Sequence, residues 1–261
     1  MERLLKAGVR AANQQWALLN GAVLFYTCLP LPASWPVRFD QIALVVPAVG
    51  FGVGSVLVLV DLLLRIELPL LLSSAIVVFL GVWLTGGLHL DGAMDTADGL
   101  AVQDDQQRLV AMADSRVGAF GVIAAIAILL LKVTALTAIV HNRWFVLLSA
   151  AMWGRWGQQW AIGGYPYIKP DGKGAFHKQA IPSLWYALPW LIGLVAVTIL
   201  VAVFGWIPWQ SGMAAIVVGS GASWLVAEWF ARNLGGHTGD TYGAVIEWVE
   251  VAVFIGLACV D

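Results

Sequence analysis

Seven stretches of predominantly apolar sequence recur along the 261-residue chain, at 43–64, 70–88, 118–140, 144–163, 184–204, 211–231 and 243–260. About 20 such residues are what a helix needs to cross a hydrocarbon core. Within lipid, backbone N–H and C=O groups must be satisfied by helices or by a closed barrel. A barrel would show short alternating segments instead of continuous runs. The expected fold is therefore all-α: a polytopic membrane helical bundle of about seven transmembrane helices, forming a single integral-membrane domain over 1–261. The composition, 60% hydrophobic and 11% charged, agrees, being far from that of a soluble domain.

The net charge of −2 leaves no basic excess for a polyanion, so no nucleic acid is expected as a partner. Cys28 and Cys259 lie near opposite ends of the sequence without ligand-like spacing, which argues against a disulfide framework and a zinc site. The basic start MERLLKAGVR is followed by residues interrupted by Asn, Gln and Pro. With no small-x-small cleavage pattern this is not a secretory signal, and an interfacial helix or short re-entrant segment is expected there. The fourteen tryptophans suit belts at the membrane interfaces.

Basic residues favour cytoplasmic loops. With the N-terminus inside, Arg3, Lys6, Arg10, Arg38, Arg108, Arg116, Lys169, Lys173, Lys178 and Arg232 fall in inner loops, and only Arg65 and Arg143 in outer ones. That asymmetry predicts a protein of the cytoplasmic (inner) membrane with its N-terminus in and C-terminus out. It also brings three long polar segments, 89–117, 164–183 and 232–242, to the cytoplasmic face, where the active site is expected. The outer connections are too short to build one.

The first of these segments opens with TGGLHLDGAMDTADGL. Asp91, Asp95 and Asp98 are spaced i, i+4, i+7, within a roughly 60° sector of a helix. Three adjacent carboxylates repel one another unless a cation is near. Hard, oxygen-loving Mg²⁺, commonly shared between a few carboxylates and substrate phosphates, is the expected cofactor. Gly92 and Gly99 weaken the helix in a way that suits close approach of a ligand. Asp104 and Asp105 read as an ordinary solvated continuation. In GGHTGDTYGAVIEWVE, Asp240 and Glu247 again share a face, and Glu247 falls inside the last span, where an ionised carboxylate needs a partner. Glu250, a turn deeper, suits pairing with a buried base such as Lys132.

Among the bases, Arg116 stands just ahead of the third span and Arg155 within the fourth, between Gly154 and Gly157. Lys173 lies in the KPDGKG loop. Arginine forks and lysine point charges are what phosphate recognition uses. Lys169 and Lys178 read as ordinary inner-face charges. His89 can join the aspartates only if the chain unwinds at Gly86 and Gly87, and His237 suits a hydrogen-bonding role in its glycine-rich turn. His141 and His177 have no motif nearby.

Acids from two segments, a few bases and a cytoplasmic-face cavity fit metal-assisted transfer of a phosphate-linked group. A proton-coupled transporter is the non-enzyme alternative; clustering of the acids at one face and the lack of repeat symmetry speak against it. A CDP-alcohol phosphotransferase-like enzyme is the other alternative, since DTADGLAVQDD carries D-x-x-D-G, but the Ala-Arg and later aspartates of that signature are missing. No Asn precedes these aspartates as a membrane prenyltransferase motif would require.

Three longer motifs, in order, decide between them. TGGLHLDGAMDTADGL resembles T-G-G-x-H-L-D-G-x-x-D-x-x-D-G, DSRVGAFG resembles D-S-R-x-G, and GGHTGDTYGAVIE resembles G-G-x-T-G-D-x-x-G-A-x-x-E. These are similar to the motifs of the cobalamin synthase family, the adenosylcobinamide-GDP ribazoletransferases. FYTCLPLP is similar to a further T-R-x-P segment, with Cys28 in the place of Arg.

The resemblance implies substrates, adenosylcobinamide-GDP and α-ribazole or its 5′-phosphate, and products, adenosylcobalamin or its phosphate and GMP. In that frame Asp91, Asp95, Asp98 and Asp240 are expected to hold one or two Mg²⁺ on the pyrophosphate, with Glu247 as ligand or behind one. Arg116, Arg155 and Lys173 would stabilise phosphate charge, and Gly236, Thr238 and Gly239 would line the substrate. His89 or an aspartate, Asp95 first, would accept the hydroxyl proton. Membrane lipid surrounds the bundle, and a homo-oligomer is left open.

Overall fold

The computed structural model describes residues 2–169, 172 and 174–261, with side chains described from residue 12 onward. The elements are α1 (Glu2–Tyr26), α2 (Val46–Leu64), α3 (Leu70–Leu84), α4 (Leu88–Ala101), α5 (Asp105–Ala111), α6 (Ala119–Ala138), α7 (Arg143–Gly164), α8 (Ala175–Ala180), α9 (Leu188–Val203), α10 (Trp209–Leu234) and α11 (Gly239–Ala258). Two 3₁₀ turns, Ile42–Val45 and Leu184–Tyr186, lead into α2 and α9. Among the described residues the only β pairing is an isolated bridge between Tyr167 and His237.

A helix lies on each of the seven apolar stretches, but they are not equivalent. Five segments are long and apolar enough to cross a membrane: Ile42–Leu64, Ala119–Ala138, Leu184–Val203, Trp209–Leu234 and Gly239–Ala258. The pair α3 and α4 is long and apolar enough only when taken together, and it is bent by 88° at the break between them. The expected span 70–88 thus ends early. The break sits at Gly86 (φ 61°) and Gly87 (φ 72°), in the left-handed region that glycine enters without steric cost. The 15 residues of α3 rise about 22 Å, short of the ~30 Å core, and α4 turns across the end of the bundle.

The remaining helix, α7, is the axis of the fold. It carries Arg143, Arg155, Gln158 and Gln159, all buried, and packs against α2, α10 and α11. Its neighbours shield these polar groups from lipid, which an isolated span could not do. Small residues permit the close approach typical of membrane helices. A Cβ on Gly50 of α2 would lie 2.5 Å from the Ala151 carbonyl of α7, and one on Gly219 of α10 would meet the Trp153 ring at 2.3 Å. Large apolar side chains such as Leu59, Phe79, Ile123 and Val197 face outward, as a lipid-facing surface requires.

Arg143, expected as an outer-loop charge, is buried and pairs with Asp61 (Nη2–Oδ1 2.5 Å) while donating to Ser74 Oγ and the Leu136 carbonyl. The pairing compensates both charges where solvent cannot. At that end of the bundle the Asp261 carboxylate also accepts from the N–H groups of Val140, His141 and Asn142.

The opposite end collects the long polar segments. Arg108 Nη1 donates to the Asn233 carbonyl at 2.6 Å. Ile168 N–H donates to the His237 carbonyl, and His237 N–H to that of Pro166, each at 2.9 Å. The helix α1 runs unbroken to Tyr26, and the Tyr26 hydroxyl lies 3.3 Å from His177 Nε2.

Candidate active site

Two glycines set the geometry of the polar end. A Cβ on Gly92 of α4 would fall 2.5 Å from the Asp240 carbonyl oxygen, and one on Gly243 of α11 would fall 3.0 Å from His89 Cα. The two backbones therefore cross in direct contact, each glycine opposite the other helix. Gly92 serves this crossing and also lines the cleft beside it, whereas Gly99, expected to suit a ligand, makes room for Met112 and the Arg108 carbonyl. The crossing carries the α4 aspartates up to Asp240 in the first turn of α11.

The electrostatics of Asp95 record the convergence. Burial, then the charges of Asp91, Asp240 and Asp98, push its pKa up to about 6, against a smaller opposing pull from Lys169. Asp91 is exposed, while Asp95 and Asp240 are half-buried. Asp91 and Asp240 line a cleft of about 300 Å³ that continues inward past His89, Gln158, His177 and Tyr242. Among the described residues no three His, Cys, Asp or Glu side chains are gathered closely enough to hold a metal ion by themselves.

Asp98 stands differently from its neighbours. Its two oxygens accept the N–H groups of Gly118 and Gly121, each at 2.8 Å. It thereby caps α6, where four N–H groups have no intrahelical partner, and a negative charge is favoured at that end by the helix dipole. The DSRVGAFG motif supplies those N–H groups. Arg116 in the same motif forks onto Asp114 with its side chain 88% exposed, in place of facing the cleft. Asp104 caps α5 by accepting from Gln106 N–H, and Asp105 pairs with Arg108, as their ordinary reading anticipates.

Glu247 and Arg155 are drawn into a different structure. Lys132 Nζ lies 2.6 Å from both Glu247 Oε2 and Glu250 Oε2, and Arg155 Nη1 lies 2.5 Å from Glu250 Oε1. Two acids and two bases neutralise one another inside the bundle, around a cavity of about 30 Å³, separate from the cleft. The structure therefore does not bring Glu247 to the aspartates, and Arg155, only 2% exposed, is held by Glu250 instead of presenting its fork to the cleft. The physical reason is the cost of an unpaired charge at membrane depth.

His89 lines both cavities. The chain does unwind at Gly86 and Gly87, but α4 is regular from Leu88 onward, so His89 points into the bundle. Burial, assisted by the charges of Arg155 and Lys132, lowers its pKa to about 3, leaving it neutral and a weak proton acceptor.

The GGHTGD segment is largely architectural. Gly236 (φ 153°) abuts the Pro166 carbonyl, Thr238 closes a capping box with Thr241, and Gly239 lines the cleft. His237 Nδ1 lies 2.9 Å from Thr241 Oγ1, and Nε2 faces the Ala227 carbonyl at 3.2 Å, which fixes the ring. Lys173 lies outside the described residues.

Sequence reasoning set aside two residues that the fold brings to the site. Lys169 acts on both Asp95 and Asp240, and His177 lines the cleft beside Tyr26 with its pKa lowered by burial to about 4. Tyr26 and His177 are 151 positions apart, so no local spacing could announce them. Lys178 is structural: its Nζ donates to the Ile162 and Gly163 carbonyls at the end of α7.

Comparison with known proteins places this geometry in context. No solved structure matches the chain. The chain is 52% identical over 241 residues to the adenosylcobinamide-GDP ribazoletransferase of Trichormus variabilis, covering 91% of this chain and 95% of that protein. It is 44% identical over 251 residues to the protein of the same name from a Synechocystis species, covering 93% and 94%. The family model described as cobalamin-5-phosphate synthase matches residues 18–258, and the chain belongs to that family.

Proposed function

We propose that the protein transfers the adenosylcobinamide-phosphate group of adenosylcobinamide-GDP to α-ribazole or α-ribazole 5′-phosphate. A ribose hydroxyl oxygen of the ribazole forms a bond to the cobinamide-side phosphorus. The bond from that phosphorus to the oxygen of GMP breaks, the electron pair leaves with GMP, and the hydroxyl proton passes to the protein. The products are adenosylcobalamin, or its 5′-phosphate, and GMP. The relatives' names support this reaction. The observation that carries it is the meeting of α4 and α11 carboxylates at the mouth of one cleft.

The carboxylates fit a divalent cation, Mg²⁺ in our reading, because the charges of Asp91, Asp240 and Asp98 all raise the proton affinity of Asp95, with only Lys169 in opposition. They do not close a coordination sphere alone, which matches the habit of Mg²⁺ of sharing its ligands with phosphate oxygens and water. Asp91 and Asp240 would hold it, and when bound it would neutralise pyrophosphate charge. Asp95, beside Asp91 on α4 and only half-buried, is the proton acceptor we favour over the fully buried His89, since a general base has to reach the proton it takes. Lys169 would steady the departing phosphate. The bias of basic residues toward the cleft end supports a cytoplasmic-face site in the inner membrane.

Purified protein in detergent, given adenosylcobinamide-GDP, α-ribazole 5′-phosphate and Mg²⁺, should release GMP, and EDTA or Asp95→Asn should each abolish release. Well-folded protein that releases none would sink the assignment. CMP release from CDP-diacylglycerol, or solute movement into sealed vesicles, would point to the alternatives that the comparisons do not support.

A further inference from the structure

The inner part of the cleft holds polar atoms that the fold leaves without partners. The Tyr242 hydroxyl and Gln158 Oε1 are buried and make no hydrogen bond, with their residues only 1% and 3% exposed. Buried polar groups are nearly always paired, and leaving one unpaired costs stability that a ligand can restore. Both residues line the same cleft as Asp91 and Asp240.

Their surroundings are flat and mostly carbon. Tyr26 stacks on His177 with an interplanar angle of 17°, and Phe25 packs edge-on against His177. Across the cleft Tyr242 stacks on His237 at 20°, whose own ring is anchored by Thr241 and the Ala227 carbonyl. The Tyr242 ring is thus held from behind, and its hydroxyl is a fixed donor.

We infer that this pocket binds the benzimidazole base of the ribazole, with Tyr242 as the specificity-determining residue that donates to the unsubstituted ring nitrogen. The inference rests on the transferase reading above. A benzimidazole offers two aromatic faces and a single acceptor nitrogen. Its ribose would lie toward the carboxylates, with Gln158 Oε1 free to accept from a sugar hydroxyl. Guanine, the base of the other substrate, has donors and acceptors around its edge, most of which this wall would leave unpaired. A corrin ring with its substituents exceeds the roughly 300 Å³ available.

The test compares wild type with Tyr242→Phe in GMP release and in direct binding of α-ribazole 5′-phosphate, the latter in EDTA without the second substrate. Tyr242→Phe should raise the Kd and KM for α-ribazole 5′-phosphate about tenfold, with the KM for adenosylcobinamide-GDP unchanged. An analogue with carbon in place of the acceptor nitrogen should bind wild type about tenfold more weakly than the natural compound, and Tyr242→Phe should bind the two alike. Removing an unpartnered hydroxyl should leave the unfolding temperature of the free protein equal or higher, which separates this role from a structural one.

A shift in the KM for adenosylcobinamide-GDP alone, or unequal binding of the two compounds by Tyr242→Phe, would overturn the assignment of the pocket. So would full ribazole affinity in the variant. In these cases wild type still releases GMP and the transferase reading stands; if wild type releases none, both fall together.

Discussion

Replacing Gly92 by alanine tests the crossing that assembles the site. The added Cβ would lie 2.5 Å from the Asp240 carbonyl oxygen and 3.0 Å from its Cα. These are backbone atoms of a packed helix, not the end of a flexible side chain. Restoring ordinary contact requires α4 and α11 to part by about 0.9 Å, since normal contact begins near 3.4 Å. Overpacking of this kind costs roughly 1–3 kcal/mol, and alanine returns about 0.5–1 kcal/mol through its better helix propensity. The net loss of stability is thus between about zero and 2.5 kcal/mol, small enough for the protein to fold. A displacement near 1 Å between groups that act together can cost on the order of 100-fold in rate. Gly92→Ala should therefore lower kcat for GMP release about 100-fold with a modest fall in unfolding temperature. Gly52→Ala is the control: it is also helical, but a Cβ there meets nothing within 4 Å, so activity should persist. Wild-type kcat in Gly92→Ala would refute the idea that the α4–α11 contact sets the site.

Three further outcomes follow from individual groups. Asp98→Ala should lower stability by about 1–2 kcal/mol in thermal unfolding even with EDTA present, because its carboxylate caps α6; an effect seen only with Mg²⁺ would mean that its main role is as a ligand. Ionised Asp95 is costlier in the fold than in the open chain, since its pKa rises from 3.8 to about 6. That cost is absent below about pH 4, builds between about pH 4 and 6, and is fully present above 6. Asp95→Asn should then stabilise the cation-free protein at pH 8 and not at pH 4. Two units correspond to roughly 3 kcal/mol, which solvent screening of a half-buried group reduces to about 1; equal stabilities at pH 8 would discount the strain. Cys28 and Cys259, both exposed, lie at opposite ends of the bundle. In right-side-out vesicles an impermeant maleimide should label Cys259 in Cys28→Ser protein but leave Cys28 unlabelled in Cys259→Ser protein; the reverse pattern would invert the proposed orientation.

The parts legible in the sequence are those in which one physical requirement acts locally. Hydrocarbon thickness sets the length of an apolar run, so helices lie where the seven stretches fall. The helical period puts Asp91 and Asp95 on one face of α4, while the capping roles of Asp104 and Thr238 emerge only once the helix starts are placed. What stayed hidden depends on partners far along the chain. A buried arginine in a span reads equally well as a phosphate ligand or as half of an ion pair. The sequence anticipates the pairing of Glu250 with Lys132, but only the fold, by bringing Glu250 across to Arg155 as well, decides the role of the arginine. The same ambiguity governs Asp98, whose spacing matches its neighbours but whose carboxylate meets a helix N-terminus 20 residues on. It governs the glycines too, since an absent side chain makes room for ligand or helix alike. Charges committed to holding helices together and charges left facing the cleft come from the same motifs. Among the acids of these motifs, Asp91, Asp95 and Asp240 have no basic partner within hydrogen-bond reach among the described residues, and they lack the pair of backbone N–H groups that holds Asp98. Acids left unbalanced at the head of an interior whose other charges are paired are what a bound cation would relieve, and on that ground we propose the cleft mouth as the place where this chain meets its reactants.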